Sequence, residues 1–240
     1  MQTMEILTLA LGAAWASGIN LYATIVLIGG LGLFGVVDLP PGLETLESPV
    51  VLLAAALLYA LEFFADKIPV VDSIWDVLHT FIRIPAGALI AAGAVEGFDF
   101  TGMGEDTEFI AALVAGGALT AGSHATKAAT RAAINVSPEP FTNIGASLAE
   151  DILVFVGLSL AIFKPAIFLG AALIGLCLFV WLAPKLWRGI RGFFRRFSDP
   201  AAATRGARHR EWATTPETAS ASGGTTMARR NTGSDIDASF

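Results

Sequence analysis

Ionisable side chains are scarce in this sequence, and most of those inside its apolar stretches fall on a few helical faces. Asp72, Asp76, His79 and Arg83 stand at offsets 0, 4, 7 and 11, which at about 100° per residue holds them within an arc of roughly 60°. Ile74, Trp75, Val77, Leu78, Phe81 and Ile82 fill the rest of that surface. His124, Lys127, Arg131 and Asn135, at offsets 0, 3, 7 and 11, share one face in the same way. Asn143, Ser147 and Glu150, with Asp151 beside it, form a third polar stripe, and Glu62 and Asp66 lie one turn apart. The first stripe is mainly acidic, the second basic, and the third ends in two carboxylates.

Such residue types allow three kinds of chemistry. Two histidines among carboxylates suit a proton relay, or a metal site with Asp, Glu and His ligands. Lys127, Arg131 and Arg83 together suit an anionic ligand. Spacing does not choose between these. Against all three stands the plain alternative that the stripes pair with one another as inter-helix ion pairs, while Lys67 and Arg83 snorkel to an interface. Charges inside a bilayer cost several kcal/mol unless paired or wetted, so they belong in a bundle interior. At least ten ionisable groups in so small a bundle exceed what packing requires. No Ser-His-Asp order, Walker motif or dinucleotide fingerprint occurs, and the lone Cys177 excludes a disulfide framework. No cofactor is strongly implied, and nothing points to nucleic acid.

The elements that must carry these residues are membrane helices. The chain has 240 residues, 54% hydrophobic and 15% charged, against about 25% charge in a soluble domain. No Lys or Arg precedes Lys67. Apolar stretches run from Ile6 to Val37, Pro49 to Phe64, Val70 through Pro85 to Val95, Phe109 to Ile134, Thr142 to Phe163 and Ala166 to Leu186. Pro85 kinks its helix without ending it, and Ser137-Pro138-Glu139-Pro140 is a break. Several stretches approach the 20 residues that a bilayer core demands. A cleaved signal peptide is disfavoured, because a basic n-region is missing and the first apolar run continues to Val37. Glycines at 29, 30, 32, 35, 116 and 117 suit close helix approach. Lys185 to Arg196, with Trp181, Trp187 and Phe193, suits a membrane-surface anchor. From Ser198 to Phe240 the composition is that of a disordered tail.

The first stretch is too long for one perpendicular span. Its 32 residues would reach about 48 Å, so a break near Ser17-Gly18-Ile19-Asn20 is expected. Gly18-Ile19-Asn20-Leu21-Tyr22-Ala23-Thr24 can be laid against Gly122-Ser123-His124-Ala125-Thr126-Lys127-Ala128. Lys67-Ile68-Pro69 and Lys164-Pro165 occupy corresponding joints. Halves of three helices each would be inverted relative to one another, and paired Gly-interrupted segments are a pointer to a transporter's site.

Glu62-Phe63-Phe64-Ala65-Asp66-Lys67-Ile68-Pro69, Asp72, Trp75-Asp76, His79-Thr80 and Arg83 resemble the signature of a bacterial membrane-protein family, domain-of-unknown-function family 4126. His124-Ala125-Thr126-Lys127-Ala128, Arg131, Ser137-Pro138-Glu139-Pro140, Asn143 and Glu150-Asp151 continue the resemblance, which spans about Leu7 to Trp187. It implies a bacterial cytoplasmic-membrane setting and supplies no reaction.

The expectation is therefore an all-α polytopic membrane bundle of about six transmembrane helices over residues 1–197, with inverted halves at about 6–97 and 107–197 and a tail at 198–240. The leading function is a small transporter or channel for an ion, an anionic small molecule or a lipid head group, and a homo-oligomer is compatible with it. The pathway residues are Asn20, Glu62, Asp66, Asp72, Asp76, His79, Arg83, His124, Lys127, Arg131, Asn143, Glu150 and Asp151. A metal-assisted membrane enzyme and a structural or assembly protein are the alternatives. Basic loops on one side and acidic loops on the other place both termini in the cytoplasm. Cysteine accessibility labelling should then find the Asp99 to Glu108 loop outside and the tail beyond Ser198 inside. Labelling of that loop from the cytoplasmic side would overturn the topology.

Overall fold

The computed structural model describes residues 3–135 and 140–197; the side chains of Asp72 and Asn135 are outside the described set, as are the Ser137-Pro138-Glu139 break and the tail from 198. Every described element is helical. α1 (Thr3–Ile19) and α2 (Leu21–Leu33) divide the first apolar stretch, and a 3₁₀ helix (Pro41–Glu47) sits in the first acidic loop. α3 (Pro49–Ala65), α4 (Pro69–Val95), α5 (Glu105–Asn135), α6 (Pro140–Phe163) and α7 (Pro165–Phe197) follow.

The expected break falls at Asn20, whose φ of −146° and ψ of 99° leave the helical region. The Asn20 carboxamide oxygen accepts from the Ala23 amide at 2.9 Å and so caps α2, satisfying a donor that the break would orphan. Pro85 lies inside α4, which continues through it for 27 residues. Pro69, Pro140 and Pro165 each open a helix, where a missing amide proton costs nothing. The second acidic loop turns on Gly97, Gly102 and Gly104, all at positive φ, and the Asp99 carboxylate accepts from the Gly102 and Gly104 amides.

Among the described residues, three helices are long and apolar enough to cross a membrane, or four if the bent pair of 3₁₀ helix and α3 counts as one span. α1 and α2 and the apolar part of α7 to Trp181 are each shorter. α1 and α2 fall short because Asn20 splits the first stretch into pieces of 17 and 13 residues.

The residues up to Cys177 pack as one compact unit. At its centre α1, α4 and α5 pack on one another, with α6 against α1. Small residues make this packing possible. A methyl group on Gly18 would strike the Ser123 hydroxyl and the Thr120 carbonyl of α5. One on Gly87 would strike Thr120, and one on Gly116 would strike Ala91. Hydroxyls then link the helices, Thr120 donating to the Ala14 carbonyl at 2.8 Å and Thr8 to the Ala161 carbonyl at 2.9 Å. Of the glycines assigned to close packing, Gly29, Gly32, Gly116 and Gly117 meet neighbours, Gly30 faces open space, and Gly35 serves a turn at φ 66°. Outward faces are apolar: Leu53, Leu57, Leu61, Phe81, Leu89, Val114 and Ile152 are exposed, as lipid contact requires.

Gly18→Ala should cost about 1–3 kcal/mol, the usual range for overpacking, because the atoms it meets include backbone. Gly122→Ala meets nothing within 4 Å and should be neutral or slightly stabilising. Thermal denaturation of both variants in detergent checks the contrast.

Candidate functional site

Four helices deliver charge to one buried region. Glu62 and Asp66 come from the end of α3, Asp76 and Arg83 from α4, Lys127 and Arg131 from α5, and Glu150 and Asp151 from α6. All are buried except Glu150, which is nearly so. The geometry centres on the three cations. The Arg83 guanidinium, fully buried, donates to Glu62 at 2.5 Å and to Asp76 at 3.0 Å. Arg131 grips Glu150 with two parallel bonds, Nε to Oε1 at 3.0 Å and Nη2 to Oε2 at 2.7 Å. Its other nitrogen donates to Asn143 Oδ1 at 2.9 Å and to the Asp66 carbonyl at 3.2 Å. Such forked arginine bonds are the strong, orientation-specific kind.

Lys127 stands between the two arginine clusters. Its ammonium lies 3.1 Å from Asp66 Oδ2, 3.5 Å from Glu62 Oε1, 3.6 Å from Glu150 Oε2 and 3.7 Å from Asp76 Oδ1. It also donates to the Ile19 carbonyl at 3.2 Å, at the point where α1 ends. A helix C-terminus carries partial negative charge on its open carbonyls, so the break itself contributes to the site. Asn20 completes the link: its amide nitrogen donates to Asp151 Oδ1 at 3.2 Å.

The neutral residues orient the charged ones. Asn143 Nδ2 donates to the Asp66 carbonyl at 3.0 Å. An Arg83 N–H makes a long contact of 3.4 Å to His124 Nδ1. His124 Nε2 and Thr80 Oγ1 are hydrogen-bonded at 2.7 Å, and the Thr80 hydroxyl donates to the Asp76 carbonyl at 2.8 Å. A recess of about 210 Å³ between α4 and α5 is lined by Asp76, Val77, Thr80, His124, Ala128, Arg131 and Ala132. Asp76 of one charged stripe and His124 and Arg131 of the other therefore border it.

The residues singled out from sequence divide cleanly. Asn20, Glu62, Asp66, Asp76, Arg83, His124, Lys127, Arg131, Asn143, Glu150 and Asp151 converge. His79 goes elsewhere: its Nδ1 bonds the Trp75 carbonyl at 2.9 Å, and its ring stacks on Trp75 and meets Tyr22 edge-on. Asp72 is a side chain on which the structure is silent. Asp76 bonds Arg83 within its own helix, and the forked partner of Arg131 is Glu150 of α6. Two parts of the site were missed. The Ile19 carbonyl has no side-chain signature, although the expected helix break pointed to it. Thr80 lies four residues after Asp76, on the same face, and was findable. Among the described residues, no three His, Cys, Asp or Glu side chains are grouped so as to hold a metal ion.

Among the described residues, an all-helical bundle with apolar outer faces, three or four helices long and apolar enough to cross a membrane, and charge turned inward is consistent with a helical membrane protein. Within that class the chain belongs to the family described as a domain of unknown function (DUF4126), whose model matches residues 7–185. No curated protein and no solved structure matches it.

Breaking a buried charge pair from one side costs about 3–5 kcal/mol. Arg131→Gln should destabilise by about that much, since it strands Glu150 and removes a donor from Asn143. Adding Glu150→Gln should recover much of the loss. Melting temperatures of the two single variants and the double in detergent form the cycle, and additive losses would refute the pairing.

Proposed function

We propose that this chain is a six-span transporter or channel of the bacterial cytoplasmic membrane, with both termini cytoplasmic, and that the buried network handles a cation, the proton included. One observation carries this reading. Five carboxylates (Glu62, Asp66, Asp76, Glu150 and Asp151) share three fixed cations (Arg83, Lys127 and Arg131) in a largely dry interior. With every carboxylate ionised, and the partly buried Lys67, whose charge acts on Asp66 and Asp151, counted beside the three, one negative charge is in excess among the described residues. An interior of this kind does not hold unbalanced charge; it takes up protons or a cation instead. The same count argues against an anionic ligand, because Lys127 and Arg131 are already committed to carboxylates.

Two further features support ion passage. The recess between α4 and α5 borders the network at Asp76 and Arg131. The helix break at Asn20 places a capped helix start and an open carbonyl against the charges, as discontinuous helices do in many transporters. An inverted arrangement of the halves agrees with one contact: the aligned segments around Gly18 and Gly122 meet, Gly18 lying against Ser123 and His124. A metal-assisted enzyme is the weaker reading, because the histidines and carboxylates are not grouped as ligands. A pure scaffold leaves the surplus carboxylate without a reason.

Proteoliposomes test the proposal. Wild-type protein should dissipate an imposed proton, sodium or potassium gradient faster than empty vesicles, read with a pH- or potential-sensitive dye. Glu62→Gln and Asp66→Asn should each cut that rate by tenfold or more, read only on reconstituted protein matched to wild type in helix content and monodispersity. A wild-type rate equal to that of empty vesicles for all three cations overturns the reading, as does a rate untouched by both variants.

A further inference from the structure

Resting on the cation reading above, we propose that the oxygen cage around Lys127 is a monovalent-cation site whose resident occupant is the tethered ammonium of Lys127 itself, displaceable by a free cation of similar size and charge. Five oxygens from four helices surround Nζ at 3.1 to 3.7 Å: Asp66 and Glu62 of α3, Asp76 of α4, Glu150 of α6 and the Ile19 carbonyl closing α1. An ammonium needs only three acceptors for its three protons, and one carboxylate to balance its charge. Here Asp66, Ile19 and Glu62 supply the three acceptors, and four carboxylates, which it shares with Arg83 and Arg131, stand within 3.7 Å of its single charge. The surplus belongs to a site built for a cation that comes and goes.

The atoms behind the first layer point the same way. Glu62 Oε2 and Asp66 Oδ1 are buried with no hydrogen-bond partner among the described residues, and both residues are more than nine-tenths buried. Ser147 Oγ is likewise unpartnered, one turn from Asn143 and one from Asp151 on the inward face of α6. Each such acceptor costs about 1–3 kcal/mol when left unsatisfied, a cost that a bound cation would offset. Lysine suits the part of a displaceable occupant: it is a compact point charge on a flexible four-carbon stem, unlike the forked arginines on either side, which fix the walls. A carboxylate and carbonyl donor set without sulfur or a histidine cluster suits a hard cation, and a single charge is what replaces one ammonium without changing the balance.

Lys127→Met empties the cage without removing its walls. Its melting temperature, for the full chain in detergent, is to be compared in sodium, potassium, ammonium and choline chloride at equal ionic strength. Wild type should melt alike in all four. Lys127→Met should be depressed in choline and raised saturably by at least one small cation, by about 5 °C or more at a hundredfold excess over its dissociation constant. A variant that melts alike in all four salts overturns the proposal. So does a variant that fails to fold even in sodium and potassium, because those ions should replace the ammonium. The double variant Lys127→Met/Glu62→Gln, short of one carboxylate as well as the ammonium, should fold in choline and need at least tenfold more cation for half its response; a response equal to the single variant's also counts against the site. Flux and binding separate here. A salt response without vesicle flux keeps the site and removes the transport reading, whereas flux without a salt response does the reverse.

Discussion

The burial of Arg83 between Glu62 and Asp76 is the interaction on which the rest of this structure depends. A lone guanidinium inside an apolar bundle is costly enough to unfold it, and one carboxylate at short range only offsets part of that. Two carboxylates from two helices, at 2.5 and 3.0 Å, hold it in place, and each of these carboxylates also lies near Lys127. Lys127 in turn reaches Asp66 and Glu150, which Arg131 holds from the other side. At 4 Å and an effective dielectric of about 20, each opposite pair is worth about 4 kcal/mol before desolvation. The helices carrying these groups are thus locked in register by charge, in a medium where apolar side chains give no preference for protein over lipid.

That lock works only if the backbones lie close enough for short side chains to span the gap. Aspartate and asparagine reach little, so Asp66, Asp76 and Asn143 require near contact between their helices. Gly18, Gly87 and Gly116 supply it, each placed where a methyl group would strike a neighbouring helix. Asn20 adds a second requirement. By ending α1 and starting α2 within one residue, it frees the Ile19 carbonyl for Lys127 and turns its own amide toward Asp151. One residue thus ties the helix break to the charge network.

Much of this was legible from spacing. A bilayer punishes buried charge so strongly that an Asp or Arg within an apolar helix reports its own direction, and the stripes on α4, α5 and α6 did converge. The helix break was legible because 32 apolar residues outrun a membrane and Gly18 and Asn20 offer a place to stop. Pairing was not. Helical offsets fix a face, not a depth, and Asp76 and Arg131 share a recess while bonding other partners. His79 shows the same limit. Its offset places it with Asp76 and Arg83, yet Trp75 four residues back and Tyr22 across α2 capture its ring. Span number was legible only in part, because hydropathy cannot see that Asn20 cuts one stretch into two short helices. Side-chain spacing is equally blind to a backbone carbonyl, so Ile19 had to come from the structure.

The balance of charge, more than its presence, separates a scaffold from a device. A network kept for stability alone would tend toward equal numbers of each sign and toward full pairing, since every stranded acceptor works against folding. Here the arginines are matched with forked or doubled bonds, while carboxylate oxygens of Glu62, Asp66 and Asp151 stay buried without partners among the described residues. The two arginines behave as fixed walls, and the imbalance gathers around the one cation on a flexible stem. Unsatisfied carboxylate oxygens of Glu62 and Asp66 beside a movable charge, between arginines held by short bonds, are what a site needs in order to bind an ion and then release it.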